Sequence, residues 1–290
     1  AAAVPVVANG EEGTYNGFAL PWPEQLRINE PDSNIEAQLF VLPSEAYDES
    51  KSQGGEPEAA ESELVYCFNQ YWEFPTDWQQ APSPNDHVKY KKIAPANAQA
   101  FYDLANEDTQ DWPVDYFNDK GEPKPGNSRG NRSGKPRVGA EELKAKVLKV
   151  VYNGYDQSHR DRAGIQKALG ISDVAFHAAT QKAIWYFTES LSESTVANNV
   201  DSMSPEAKKA FYILIGKDTS VQLKDVPEAT LNLYQNVDHA GRIQGLKQPY
   251  QHLLSAQFVK PDGVTPIEDV PATEQPKPSD DPEQPKPSDD

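Results

Sequence analysis

The sequence predicts an α+β fold, a β-sandwich with a helical insertion, followed by a Pro-rich extended tail. Segments 14–42 and 63–74 are rich in β-branched and aromatic residues, as strands are. Residues 140–216 carry helical periodicity, and residues 219–259 return to strand-like and irregular patterns. Strands on both sides of a block of helices indicate a sheet domain that carries an insertion, rather than an alternating α/β sheet.

The helices of the insertion are predicted from apolar spacing and from their end signals. Apolar residues recur at three- and four-residue spacing in the first of them. Gly170 ends the second helix, Ser172 caps the third, and Pro205 lies in the first turn of the fourth. The predicted helices cover residues 140–152, 161–169, 173–189 and 205–216.

Two polar segments are predicted to be loops. Residues 44–62 are rich in Glu, Ser and Gly, and residues 118–139 are rich in Gly, Pro, Arg and Lys. The basic residues of the second segment could contact an acidic partner, but a solvated loop is the simpler interpretation.

The C-terminal segment is a tandem repeat, in which Glu274–Asp281 recurs as Glu283–Asp290. Its regularly spaced prolines favour extended polyproline II structure, which acts as a semi-rigid spacer. The sequence therefore predicts three parts: an N-terminal leader of the mature chain at 1–13, one domain at 14–260 and a stalk at 261–290. Because the repeat runs to the last residue, we expect the natural protein to continue beyond it.

Composition excludes several classes of partner. The chain of 290 residues has a net charge of −18, whereas nucleic acids and anionic membranes attract clustered Lys and Arg. No apolar run is long enough for a membrane span. Neither a Gly-rich phosphate loop nor a Gly-x-Ser-x-Gly elbow is present, and we expect no cofactor.

The chain contains one cysteine, Cys67, so it has no intrachain disulfide. A lone Cys in a secreted protein is either a reactive thiol or a small buried core residue. Strand alternation places the flanking Tyr66 and Phe68 on the face opposite Cys67.

Three short runs carry a family resemblance. Tyr66–Asn69 is an aromatic-Cys-aromatic run on a predicted strand, and Thr180–Trp185 reads Thr-Gln-x-x-apolar-Trp on a predicted helix. Together they resemble the paired signatures of the thioester domains of Gram-positive surface and pilus-tip adhesins. Tyr250–Leu254 is similar to a third element of that family, but it departs at His252, where a small hydroxyl residue is usual.

The resemblance implies an internal thioester between Cys67 and Gln181. A thiolate is a strong nucleophile, and the Gln side chain offers an amide carbonyl. Attack of the sulfur on this carbonyl expels ammonia and leaves a thioester, a bond that amines cleave readily. The resemblance further implies a cell-wall-associated extracellular adhesin that reacts once, rather than an enzyme. Its expected partner is a host plasma or extracellular-matrix protein bonded through a Lys amine, with the domain itself a monomer. Supporting roles are predicted for Tyr66, Phe68, His177, Thr180, Trp185, Tyr250 and Gln251.

Other interpretations remain open from the residues alone. Cys67 could serve a multiple-turnover, transglutaminase-like acyltransferase or peptidase, or lie inert in a non-covalent binding module. His177 lies four residues before Gln181 and could carry protons, or it could simply pack. His87, His159 and His239 show no metal-ligand spacing, and we expect no metal site.

Overall fold

The computed structural model describes residues 14–27, 37–57, 62–70, 72–80, 88–110, 135–190, 203–244, 249–262 and 265–267. The predicted leader at 1–13, most of the loop at 118–139 and most of the stalk at 261–290 lie outside these residues. Within the described part of the chain, no helix combines the length and the apolar character needed to cross a membrane.

The sheet is a closed antiparallel barrel of six strands in the order β1-β2-β3-β6-β5-β4. The prediction of a sandwich is therefore corrected. A sandwich has sheet edges, whereas here β1 pairs with both β2 and β4, and β5 pairs with both β4 and β6. The strands are β1 (Thr14–Pro21), β2 (Ala37–Pro43), β3 (Glu63–Cys67), β4 (Val88–Ile93), β5 (Glu228–Asn236) and β6 (Leu253–Val259).

The predicted helical insertion lies between β4 and β5. It holds α3 (Ala98–Gln110), α4 (Ala140–Asn153), α5 (Ile165–Leu169), α6 (Asp173–Thr188) and α7 (Pro205–Leu214). Further helices lie elsewhere in the chain: α1 (Glu24–Arg27), α2 (Ser44–Gln53), α8 (His239–Gln244) and a 3-10 turn (Trp78–Gln80).

The helix α2 corrects the prediction of a loop over 44–62. Its only buried residue is Tyr47, so its sequence shows no apolar periodicity from which a helix could be predicted. Tertiary packing stabilises it instead, because the Tyr47 ring contacts Phe18 and Trp78. Gly54, in the left-handed conformation with a φ of 82°, ends the helix, and its N–H donates to the carbonyl of Lys51.

The helix α6 occupies the centre of the molecule. The Ser172 side chain caps it by accepting a hydrogen bond from the N–H of Ala175. Every residue from Val174 to Thr188 is buried, so the helix has no solvent face. A helix that is covered on all sides fixes its side chains against their neighbours, which suits a helix that presents a reactive group.

Candidate functional site

The fold brings Cys67 and Gln181 into direct contact although 114 positions separate them. The side-chain amide of Gln181 makes two hydrogen bonds to the main chain of Cys67: the Cys67 N–H donates to Oε1 at 3.1 Å, and Nε2 donates to the Cys67 carbonyl at 2.7 Å. The Cys67 Sγ lies 3.4 Å from the same Oε1. The thiol therefore lies beside the amide carbonyl.

This contact occupies a gap in the barrel. Pairing between β2 and β3 ends at Leu39 opposite Val65, so no β2 residue reaches Cys67. On the other side, Phe68 N–H donates to the His252 carbonyl. Because successive residues of a strand point their backbone groups in opposite directions, the N–H and C=O of Cys67 face the gap. The Gln181 amide makes the main-chain hydrogen bonds that a β2 residue opposite Cys67 would otherwise make. These bonds fix the orientation of the amide relative to the sulfur.

A stripe of three α6 side chains at four-residue spacing runs along β3. His177 stacks on Tyr66, with ring centroids 5.3 Å apart, and Gln181 follows on Cys67. Trp185 comes next. Its buried indole nitrogen has no partner in hydrogen-bond geometry among the described residues, but it lies near enough to the Cys67 sulfur to lower the pKa of the thiol. Residues four apart share a helix face, so the helical repeat supplies this alignment.

Burial controls the state of the thiol. Cys67 is 0% exposed and Gln181 is 2% exposed. Burial raises the pKa of Cys67 well above its usual value, and the nearby N–H groups of Cys67 itself and of the Trp185 indole oppose the rise only in part. The unreacted group is therefore a neutral thiol, held away from bulk water beside the Gln181 carbonyl.

Thr180 holds the helix against the end of α4. Its hydroxyl donates to the Phe176 carbonyl at 2.7 Å and accepts from the Tyr155 N–H at 2.9 Å. The Tyr155 carbonyl in turn accepts from the Tyr66 hydroxyl at 2.6 Å. Gly154 is required for this approach, because a Cβ there would lie 2.5 Å from the Thr180 methyl. Thr180 thus anchors the turn of α6 that carries Gln181.

His177 is surrounded by aromatic rings. Besides Tyr66 it contacts Trp22 and Tyr155, each with ring centroids 5.6 Å away. Neither ring nitrogen has a hydrogen-bond partner among the described residues. Burial lowers the pKa of His177 from 6.5 to about 3, so the ring is neutral near pH 7. These contacts favour the packing interpretation over proton transfer.

We expect the His177→Phe variant to keep the Cys67–Gln181 contact. As the pH falls, its free energy of unfolding should decrease less steeply than that of the wild type. The unfolded chain protonates His177 near pH 6.5 whereas the folded chain does so only near pH 3, so the stability that the neutral ring contributes is present in full above about pH 6.5 and lost as pH falls toward 3. Phe cannot protonate. Denaturant unfolding at a series of pH values measures the slope, with the partly exposed His159 changed to Gln as a control. An unchanged slope in His177→Phe would contradict this account.

The remaining predicted site residues lie beside the pair rather than on it. The Phe68 ring packs edge-on against Phe101. Gln251 is fully buried, and its Nε2 donates to the Gln70 carbonyl at 3.4 Å. Tyr250 lies further out, with the Arg242 guanidinium 4.0 Å from its ring centroid.

In the part of the chain that the structure describes, one group of three side chains has metal-ligand proximity, namely Glu107, His239 and His252. Sequence reasoning missed it because the three residues come from separate segments. The His252 Nε2 lies 2.7 Å from Glu107, and its Nδ1 accepts the N–H of Asn236. An Nδ1 that accepts leaves the proton on Nε2, which then donates to Glu107 and has no lone pair for a metal. The geometry thus fits a hydrogen-bonded cluster, which lies under the ring of Trp72.

A cavity of about 260 Å³ opens where β3 and β6 separate. Tyr66, Asp156, Arg162 and Phe258 are among the residues that line it, whereas Cys67 and Gln181 are not. The reactive pair therefore does not lie in this cavity.

A known protein family matches the part of the chain that contains this contact. The family model described as "TED: Thioester domain" matches residues 64–220, more than half of the 290 residues, and this span contains both Cys67 and Gln181. The chain belongs to the thioester domain family. The third run, at Tyr250–Leu254, lies beyond the matched span.

Individual proteins and solved structures that are similar to this chain include thioester domains and a pilus tip adhesin. The chain is 28% identical over 223 residues to the pilus tip adhesin Cpa of Streptococcus pyogenes, covering 72% of this chain but 25% of that protein. The thioester domain thus spans about a quarter of the length of that relative. Among solved structures, the N-terminal thioester domain of a Clostridium perfringens surface protein has a TM-score of 0.53 at 23% identity, covering 85% of this chain and 99% of the other. The N-terminal domain of Cpa has a TM-score of 0.52 at 21% identity, covering 87% and 97%. These likenesses show a shared fold.

Proposed function

We propose that Cys67 and Gln181 form an internal thioester, and that this bond acylates an amine on a host protein once, joining the two proteins covalently. The observation that carries the proposal is the bracketing of the Gln181 amide by the Cys67 main chain, with the sulfur 3.4 Å from Oε1. A contact of this kind pre-orients two groups that would otherwise meet rarely.

Formation of the thioester is an acyl transfer within the chain. The Cys67 sulfur attacks the Gln181 side-chain carbonyl carbon, an S–C bond forms, and the C–N bond breaks. The thiol proton leaves with the amide nitrogen as ammonia, so atoms balance without an external reactant. The Cys67 N–H donates to Oε1 and would stabilise the negative charge that develops there in the tetrahedral intermediate.

Opening of the thioester follows the reverse path with a different amine. The amine nitrogen attacks the acyl carbon, loses one proton and becomes an amide, and the sulfur takes up that proton as a thiol. The Trp185 indole near the sulfur would help to stabilise the departing thiolate. Each molecule carries one acyl group, so the reaction occurs once and the protein does not act as a catalyst.

The family supports the proposed setting. The relatives are described as a pilus tip adhesin and as a bacterial surface protein. By analogy we place this domain outside the cell on a Gram-positive surface, with the Pro-rich segment 261–290 as its stalk. Its partner is then a host plasma or extracellular-matrix protein that presents a Lys amine, and the domain needs neither a cofactor nor a second copy of itself.

Methylamine is expected to add once to the Gln181 carbonyl and to release one thiol, because opening the thioester frees its sulfur. Intact mass measures the incorporation, and a thiol reagent under native conditions counts the sulfur before and after treatment. The Cys67→Ala variant should take up no methylamine. Repeated turnover on an amine donor would instead favour the cysteine acyltransferase, and a free thiol before treatment would favour the inert binding module.

A further inference from the structure

We propose that Tyr90 is a positioning residue for the Cys67–Gln181 reaction: from inside the barrel, its hydroxyl holds the main chain of Gln251 and thereby the strand that pairs with Cys67. This inference rests on the proposed thioester. None of the three family-like runs contains Tyr90, which lies on β4 and is 0% exposed.

The strand register places Tyr90 and Cys67 on the same face of the sheet. Directly opposed residues of paired strands share a face. Cys67 is opposite Leu253, Leu253 is opposite Tyr234, and Tyr234 is opposite Lys92, two residues beyond Tyr90 on β4.

That face is the barrel interior. A Cβ added at Gly17 of β1 would lie 2.5 Å from the Tyr90 ring and 3.3 Å from the Leu253 side chain. The ring therefore fills the space between β1 and β6, and Gly17 leaves room for it.

The Tyr90 hydroxyl donates to the Gln251 carbonyl at 2.9 Å. This hydrogen bond crosses the interior, because β5 separates β4 from β6 in the barrel. It acts beside a short ladder: β3 pairs with β6 through Tyr66 opposite Leu254 and Cys67 opposite Leu253, and the Phe68 N–H donates to the carbonyl of His252, the residue before β6. With so short a ladder, the position of Cys67 depends on how firmly the segment before Leu253 is held.

Electrostatics keeps the hydroxyl in its donor form. Burial raises the pKa of Tyr90 well above its usual value, and the proximity of Cys67 raises it further. The phenol therefore stays neutral near neutral pH, and its proton remains available to the Gln251 carbonyl while the thiol reacts.

Tyr90→Phe keeps the ring and removes only the hydroxyl. A misplacement of about 1 Å can cost roughly 100-fold in a pre-oriented reaction, so we expect a loss of at least roughly tenfold in the rate at which the thioester forms. The rate is measured on protein opened with ammonia, which restores Gln181 and the thiol. After the ammonia is removed, intact mass follows the renewed loss of one ammonia.

Tyr234→Phe is the matched control. Tyr234 is also a buried interior tyrosine, but its hydroxyl donates to Glu63 at the far end of β3. A purely structural role would make the two variants equivalent, so equal rates in Tyr90→Phe and Tyr234→Phe would overturn the inference. If Tyr90→Phe lacks a native circular dichroism spectrum, Gly17→Ala, which displaces the ring, is compared with Tyr234→Phe in the same way. Wild-type protein that never loses ammonia would overturn the thioester itself.

Discussion

Wild-type protein is expected to weigh one ammonia less than its sequence, because the Cys67 sulfur displaces the Gln181 amide nitrogen once folding brings them together. Cys67→Ala and Gln181→Ala remove the nucleophile and the acyl group respectively, so each variant should have its full sequence mass. Intact-mass spectrometry of native protein resolves these states. Wild-type protein at full mass would contradict the bond, unless peptide mapping finds that hydrolysis has left a glutamate in place of Gln181.

The chain offers a matched control for this measurement in Gln157. Its side-chain amide also pairs with the main chain of β3: Oε1 accepts from Leu64 N–H at 3.0 Å, and Nε2 donates to the Ser62 carbonyl at 2.9 Å. It has no cysteine beside it. Gln157→Ala should therefore still show the ammonia loss, whereas a loss of ammonia that did not need the Cys67 sulfur would not distinguish the two glutamines.

The bond should also stabilise the fold. It closes a loop of about the length for which a disulfide contributes roughly 4–5 kcal/mol through the entropy of the unfolded chain. Cys67→Ala and Gln181→Ala should lose a comparable amount of the free energy of unfolding, and methylamine-treated wild-type protein should lose it too. The treated protein differs from the unreacted chain only by one methyl group on the Gln181 amide, so it separates the effect of the covalent link from that of the substitution.

The sequence allowed much of the helical insertion to be predicted, because its signals are local. Ser172 does cap α6, Pro205 does begin α7, and Gly170 does end α5. The contact of Cys67 with Gln181 was predictable only through the resemblance of two short runs. Neither residue type is informative alone, and nothing in their spacing brings them together.

Other features could not be predicted because they depend on distant parts of the chain. Closure of the barrel requires β1 to pair with β4 as well as β2, and no property of β1 selects its second partner. The role of Tyr90 depends on Gly17 of another strand, which makes room for its ring. The complete burial of α6 also depends on distant segments, since His177 and Thr180 are as covered as its apolar residues.

Burial of the reactive pair bears on how a target would be chosen. Cys67 and Gln181 are almost completely covered, and in the proposed thioester this burial would slow attack by water on the acyl group. If the proposed thioester forms, a small amine such as methylamine would reach the buried acyl group more easily than the Lys side chain of a folded protein. A protein target would therefore have to bind first and deliver its amine, and its affinity would need only to keep the amine in place while the acyl transfer occurs.

Incubation of the wild-type domain with plasma or extracellular-matrix proteins is expected to give a conjugate that survives boiling in detergent and reductant. A surface protein on a stalk faces shear, and non-covalent complexes dissociate within milliseconds to days, whereas an amide to the host has no comparable off-rate. Peptide mapping should locate the link between the Gln181 side-chain carbonyl and a host Lys. Cys67→Ala should give no conjugate, although it retains the surface that binds reversibly, and Gln157→Ala should conjugate as the wild type does. If wild-type protein with an intact thioester binds host material and every complex dissociates on denaturation, the covalent function is wrong, and the internal bond serves stability alone.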